Sequence, residues 1–243
     1  MEFKANFIGG VLVDFVFYGS YLLFFKIVFG YVDSLLEFSR EDVTVFMIIT
    51  FLVDTIYMFF FAGNLGRLNR LVVRGDLDFV LLKPVRSQFF VSFRYFYSYG
   101  MISIVILTVA LIIFCMNMSR DISALNIVFF IYSFILGIIL FYSLDFNIVS
   151  MTFWFRNFTV GGWLSHEIMK FSMRPDTIYT GWLRKTLFTF VPMALVASVP
   201  ARMLLFGPDI KFLALQTFVT IVFFGSTFIV WKYGLEKYES ASS

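Results

Sequence analysis

The stretch RLNRLVVRGDLDFVLLKPVRSQFFVSFR, residues Arg67–Arg94, separates two long apolar runs of this 243-residue chain. It carries six Lys or Arg against two Asp. The apolar run on each side is long enough to cross a bilayer, which takes about 20 residues of helix. Basic loops between membrane spans tend to face the cytosol. The stretch therefore predicts a membrane fold and places the loop 63–94 on the cytosolic side.

The composition supports the same fold class. The chain is 60% hydrophobic, 21% aromatic and only 14% charged, whereas soluble domains average about 25% charged residues. The apolar runs are continuous and do not alternate with polar residues, which favours helices over the strands of a membrane barrel. We therefore predict an all-α polytopic membrane protein, with one transmembrane domain over residues 1–243 and no soluble domain.

Six transmembrane helices are predicted, and they cover approximately residues 8–31, 43–62, 95–116, 122–146, 187–205 and 212–231. An even number of spans leaves both termini on the cytosolic side, together with the basic loop 63–94. Residues 157–185 are also basic, so we expect an interfacial segment there on the same side. Within it, residues 157–171 are apolar enough that a short span is the alternative.

The basic loop contains a short helix with breaks on both sides. Gly75 interrupts the helical pattern before it, and Asp76 is expected to cap a helix over residues 77–83. Pro84 ends that helix, because the residue before a proline avoids the helical region. The helix is apolar but flanked by charges, so it either projects into the groove of a partner protein or lies back on the lipid.

The same loop resembles the signature loop of bacterial ABC transporter permeases of the type-two exporter superfamily, whose pattern is approximately Gly-x-Leu-Asp-x-x-Leu-Leu-(Lys/Arg)-Pro. The residues that match this pattern are Gly75, Leu77, Asp78, Leu81, Leu82, Lys83 and Pro84. The later segments Phe153–Arg156, Arg174–Tyr179 and Val191–Leu205 are similar to the closing segments of that family.

This resemblance implies a permease subunit of an ABC exporter in the bacterial cytoplasmic (inner) membrane. A second permease, identical or homologous, would complete the substrate pathway, and an ABC ATPase dimer would drive it. ATP and Mg would be held by the ATPase. The resemblance also implies that a coupling segment contacts the ATPase, with Arg74, Gly75, Asp76, Leu77, Asp78, Leu81, Leu82, Lys83 and Pro84 as its residues. It leaves the transported substrate open.

The sequence itself offers no catalytic set. It has no Gly-x-x-x-x-Gly-Lys-Ser/Thr phosphate loop, so ATP hydrolysis is expected in a partner and not in this chain. His166 is the only histidine and has no cysteine or second histidine nearby, so no metal site is predicted. We expect neither an enzyme, nor a cofactor bound by this chain, nor a nucleic-acid partner.

Besides Lys26, which is expected to reach the membrane surface, four charged residues fall inside predicted spans: Asp14, Asp54, Asp145 and Arg202. Charges in a bilayer are costly and usually face another helix, a cavity or water. Each is therefore a candidate for an inter-helix contact or for the substrate pathway. The alternative function that follows is an ion-coupled secondary transporter or channel, with Asp14 and Asp54 relaying a proton or cation.

Two prolines, Pro192 and Pro200, fall inside the fifth predicted span. A proline inside a helix removes one backbone hydrogen bond and crowds the preceding turn. We therefore expect either a fixed kink or a flexible gate in this span.

Overall fold

The computed structural model describes residues 2–32, 34–35, 37–155 and 158–238. Asp33 and Leu36 in the first connection, and Arg156 and Asn157 beside the predicted interfacial segment, lie outside the described residues. Apart from helices and connecting loops, the described part contains one short antiparallel pairing between β1, Ser34–Leu35, and β2, Phe38–Ser39.

The α-helices of the described part are α1 Glu2–Val28, α2 Arg40–Tyr57, α3 Gly63–Leu65, α4 Leu68–Arg74, α5 Asp78–Leu81, α6 Ser87–Phe93, α7 Ser98–Asn117, α8 Ala124–Ser150, α9 Val160–Met169, α10 Gly181–Thr189, α11 Met193–Leu205 and α12 Ile210–Lys237. A π-helical turn, Met58–Ala62, joins α2 to α3, and 3-10 turns cover Met151–Phe153 and Asp176–Ile178.

Five stretches are continuous, long and apolar enough to cross a membrane. They are Gly9–Val28, Arg40–Arg74, Gly100–Asn117, Ala124–Phe153 and Ile210–Lys237. Each overlaps a predicted span, so the structure confirms an all-α polytopic membrane fold. Polar side chains cap the start of three of these helices. Ser39 and Asp42 form a reciprocal capping box at α2, Ser123 accepts from the Asn126 N–H at α8, and Asp209 accepts backbone N–H groups at α12.

The bundle has two ends, which we name by their loops. The basic end carries residues 66–97, and α12 also finishes there, where the Trp231 indole donates to the Ser87 hydroxyl over 3.2 Å. The opposite end carries residues 29–39, 118–123 and 206–209. The rings of Phe38 and Phe206 meet there at 5.3 Å, and Arg120 donates to the Leu205 carbonyl.

Helix α11 lies at the centre of the bundle, and all of its residues are buried. It packs antiparallel to α8, with Asn126 donating to the Leu204 carbonyl near the opposite end. Further along the same pair, a Cβ atom added at Gly137 would lie 2.4 Å from the Val196 carbonyl oxygen. The two backbones therefore approach so closely that only glycine fits at position 137.

The fifth predicted span differs from the expectation, because residues 187–205 are not one helix. Helices α10 and α11 meet at an angle of 88° across residues 190–192. Pro192 has no N–H to continue α10, and the N–H groups of Phe190 and Val191 both turn back to the Thr186 carbonyl. The predicted span therefore contains the short core helix α11, and α10 before it forms what we call the bent arm.

Residues 158–185 of the predicted interfacial segment pack against α8 and α11. Helix α9 lies along α8, where Ser165 interacts with Asp145, and at ten residues it is too short to span a bilayer. The chain then reaches Asp176, which is bonded to Arg202, and Arg202 is bonded to Glu37 at the opposite end. Among the basic residues of this segment, Arg184 is paired with Asp176 and Lys170 with Glu167.

Candidate functional site

The basic end is built by three short helices with a sharp turn between the first two. Gly75 ends α4 with a φ of 76°, a left-handed conformation that glycine adopts without steric cost. The Leu77 N–H then returns to the Leu71 carbonyl over 3.1 Å. Helix α5 is one turn long, shorter than the predicted 77–83. The predicted cap is absent, because Leu77 and not Asp76 precedes α5 and no side chain caps it.

The turn at α5 has two faces of opposite character. Leu77 and Val80 are 0% and 2% exposed and belong to the main hydrophobic core. Phe79 and Leu82 are 70% and 83% exposed. A fixed inner face thus carries an outer face of large apolar side chains that no described residue covers.

Contacts to other helices hold the loop at several points. The Asn64 side chain makes a paired contact with Tyr95, donating to its carbonyl over 2.8 Å and accepting from its N–H over 2.9 Å. Gln88 donates to Thr227 of α12 over 3.0 Å. The Ser92 and Tyr142 hydroxyls lie 2.8 Å apart. The loop is therefore attached to α8 and α12, and its two ends are attached to each other.

The end of α12 also reaches α5. Burial, together with the nearby carboxylate of Asp78, raises the pKa of Tyr238 to about 12. The Tyr238 ring also lies 6.5 Å from that of Phe153. Asp78, one of the predicted coupling residues, thus lies near the residue that follows α12.

The predicted coupling residues divide by exposure. Leu77 is buried and Gly75, Asp76 and Asp78 are half-buried; the exposed ones are Arg74, Leu81, Leu82, Lys83 and Pro84. The prediction omitted Phe79 and Val85, which are both exposed. The spacing held a usable signal, since residues three apart share a helix face and Phe79 therefore pairs with Leu82.

Asp14 of α1 and Asp54 of α2 each accept a hydrogen bond from a neighbouring helix. Tyr18, one turn after Asp14, donates to the Asp54 carboxylate over 2.9 Å and lies 2.9 Å from the Thr55 hydroxyl. Asp14 itself accepts from Ser103 of α7 over 2.9 Å. The structure thus places Asp14 and Asp54 in one polar group between α1, α2 and α7.

Asp145 and Arg202 lie in separate contacts. Asp145 of α8 accepts a hydrogen bond from Tyr57 of α2. Arg202 donates to Asp176 over 3.1 and 3.2 Å and to Glu37 over 2.8 Å. Arg184 donates to the same Asp176 over 2.7 Å. The last four residues form a chain of charges that we call the Asp176 network.

The two prolines act on different parts of α11. Pro192 stands at the bend before the helix begins. Pro200 lies inside it, and having no N–H, it leaves the Val196 carbonyl four residues earlier without its usual helical donor. That carbonyl is the one that approaches Gly137 of α8.

A search among known proteins gives one family. Residues 15–242 match the family described as ABC-2 family transporter protein. No curated protein and no solved structure matches the chain. The match spans nearly the whole sequence, and the described part has the apolar helices of a multi-pass membrane protein. The chain therefore belongs to the ABC-2 transporter family and is the membrane permease component of an ABC transporter.

Proposed function

We propose that this permease is an exporter subunit driven by a separate ABC ATPase, and that the ATPase binds α5. The observation that carries this proposal is the outer face of α5. Phe79 and Leu82 are exposed there while Leu77 and Val80 anchor the same turn in the core. Apolar side chains held on a rigid turn and edged by Arg74 and Lys83 suit a groove in a soluble partner.

The attachments of the loop give this contact a mechanical route. A displacement of α5 would pass to α3 through Asn64 and Tyr95 and to α8 through Ser92 and Tyr142. Helix α3 continues α2 after the π-helical turn. Helix α8 is the main packing neighbour of α11 and α12. ATP-driven closure of the ATPase would therefore shift the spans that surround the buried core of the permease.

The remaining parts of the proposal follow from charge and family membership. The basic end faces the cytosol of a bacterium, with both termini on that side of the inner membrane. A second permease, identical or homologous, lines the pathway together with this one. ATP and Mg belong to the ATPase, because this sequence has no phosphate loop.

The test is recovery of an ATPase with the purified permease. Phe79→Asp/Leu82→Asp places two carboxylates in the proposed groove, where burial without a partner is costly. Tyr31→Asp/Ile210→Asp adds the same charges to exposed apolar residues at the opposite end and serves as the control. We expect the first variant to insert and fold but to lose the ATPase and transport, whereas the control keeps both. Equal recovery of the ATPase with both variants would rule out α5 as the docking element.

The group around Tyr18 favours one second candidate, an ion-coupled transporter or channel. A carboxylate pair near one tyrosine, as in Asp14 and Asp54, has the donors and acceptors of a proton relay. Purified chain reconstituted alone in liposomes distinguishes the two functions. Ion-driven transport that is lost in Asp54→Asn would support the relay. Transport that requires the ATPase and ATP would support the exporter.

A further inference from the structure

A cavity of about 260 Å³ opens at the basic end between α4 and α6. Three arginines line it, Arg67, Arg70 and Arg94, and no carboxylate of the described residues does. The Arg67 guanidinium lies 4.2 Å from the centre of the Tyr95 ring, and that of Arg94 lies 4.8 Å from the same ring. Three positive charges are thus gathered around one small space.

Among the described residues, none of these three arginines forms a salt bridge. The salt bridges found among the described residues involve other cations, and none of them includes Arg67, Arg70 or Arg94. The ring contacts hold two guanidinium groups by their faces, which leaves the N–H edges able to donate. These N–H groups can together donate several hydrogen bonds to an anion that has several oxygen acceptors.

We propose that the cavity binds the phosphate group of an anionic membrane lipid. Guanidinium groups match the oxygens of a phosphate in a two-pronged fashion, and basic pockets beside transmembrane helices are suited to lipid head groups. The floor of the cavity is apolar, formed in part by Leu71 and Val91. A phosphate held there would join α4 and α6, on either side of α5.

The position of the cavity favours a lipid over a soluble phosphate. Asn64, which also lines it, is bonded to Tyr95 just before α7 enters the membrane. Phe96 and Met101 follow along the chain, and both are exposed apolar side chains. Acyl chains attached to a phosphate in the cavity would therefore have an apolar surface to lie against.

The test compares lipid binding by purified permease in neutral detergent. Native mass spectrometry and thermal unfolding would be measured with added phosphatidylglycerol, phosphatidylcholine or inorganic phosphate. The binding variant is Arg67→Gln/Arg70→Gln/Arg94→Gln. The control, Arg74→Gln/Arg86→Gln/Lys232→Gln, removes the same charge from residues that do not line the cavity.

We expect wild type and control to retain phosphatidylglycerol in preference to phosphatidylcholine. The binding variant should bind it about 100-fold more weakly, since each basic residue near an anionic lipid contributes about fivefold. Should the triple variant fail to fold, Arg70→Gln alone is expected to weaken binding about fivefold. Unchanged retention in the variants overturns the site. Stabilisation by inorganic phosphate equal to that by phosphatidylglycerol overturns the assignment to a lipid.

Discussion

The Asp176 network allows a sharp test of how the bent arm is held. Asp176 is 0% exposed and is bonded to both Arg202 and Arg184. The Arg202 side chain is only 10% exposed, but its second partner, Glu37, has a side chain that is 65% exposed. Replacing Asp176 by Asn leaves the buried guanidinium with a single exposed partner. Replacing Glu37 by Gln removes only that exposed partner.

The expected magnitudes differ accordingly. Removing one partner of a buried ion pair costs about 3–5 kcal/mol, whereas an exposed pair contributes about 0–1 kcal/mol. For a chain of this size, 1 kcal/mol shifts the melting temperature by about 2–4 °C. Asp176→Asn should therefore lower Tm by about 6–20 °C, and Glu37→Gln by about 4 °C or less.

Thermal unfolding of the detergent-purified permease measures both shifts. The double variant Asp176→Asn/Arg202→Met should lose less than the sum of the two single variants, because the second change removes a charge that the first left unpaired. Glu37→Gln is the internal control. If Glu37→Gln costs as much as Asp176→Asn, or if the two buried changes simply add, the buried pair does not hold the arm in the way described.

Three further outcomes follow from single positions. Gly75→Ala should destabilise the protein by about 1–2 kcal/mol, because its φ of 76° is left-handed; thermal unfolding measures this, and Gly75→Asn should cost less. Gly137→Ala should cost about 1–3 kcal/mol by forcing a Cβ atom against the Val196 carbonyl, whereas Gly225→Ala, where a Cβ meets open space, should be neutral or stabilising in the same assay. Absorbance titration should show Tyr238 ionising near pH 12, a transition that is absent from Tyr238→Phe. Since unfolded tyrosine loses its proton near pH ~10, the folded state holds more protons between these values, and wild type should lose stability there relative to the variant.

The sequence predicted the spans well because a continuous apolar run of about 20 residues matches the hydrocarbon core of a bilayer. It did not predict the 88° bend before α11. Pro192 marks a break but not its angle, which depends on how Thr186 accepts two N–H groups and on what the arm contacts. The contacts that residues 158–185 make were not predicted for a related reason. A rule that counts basic residues cannot show that Arg184 will find the carboxylate of Asp176 inside the bundle.

At the candidate docking turn, the motif found the segment but not its orientation. One helical turn is too short for a periodic pattern to show which residues face inward, so Leu77 and Phe79 look alike in the sequence. Their different exposures come from tertiary packing, because Leu77 belongs to the main hydrophobic core whereas Phe79 is exposed. The cavity beside it was also not predicted, because Arg67 and Arg94 are 27 positions apart and meet only through Tyr95.

The complete burial of α11 bears on how the protein is made. A helix of 13 residues rises about 20 Å, whereas the hydrocarbon core is about 30 Å thick, and this helix carries Arg202. A segment this short that also carries an arginine partitions poorly into lipid on its own. It becomes stable once α2 and α8 are already in place to surround it and once α12 has emerged behind it. We therefore expect the core around α11 to be completed last during synthesis. A chain that ends before α12 would leave α11 without all of its packing partners.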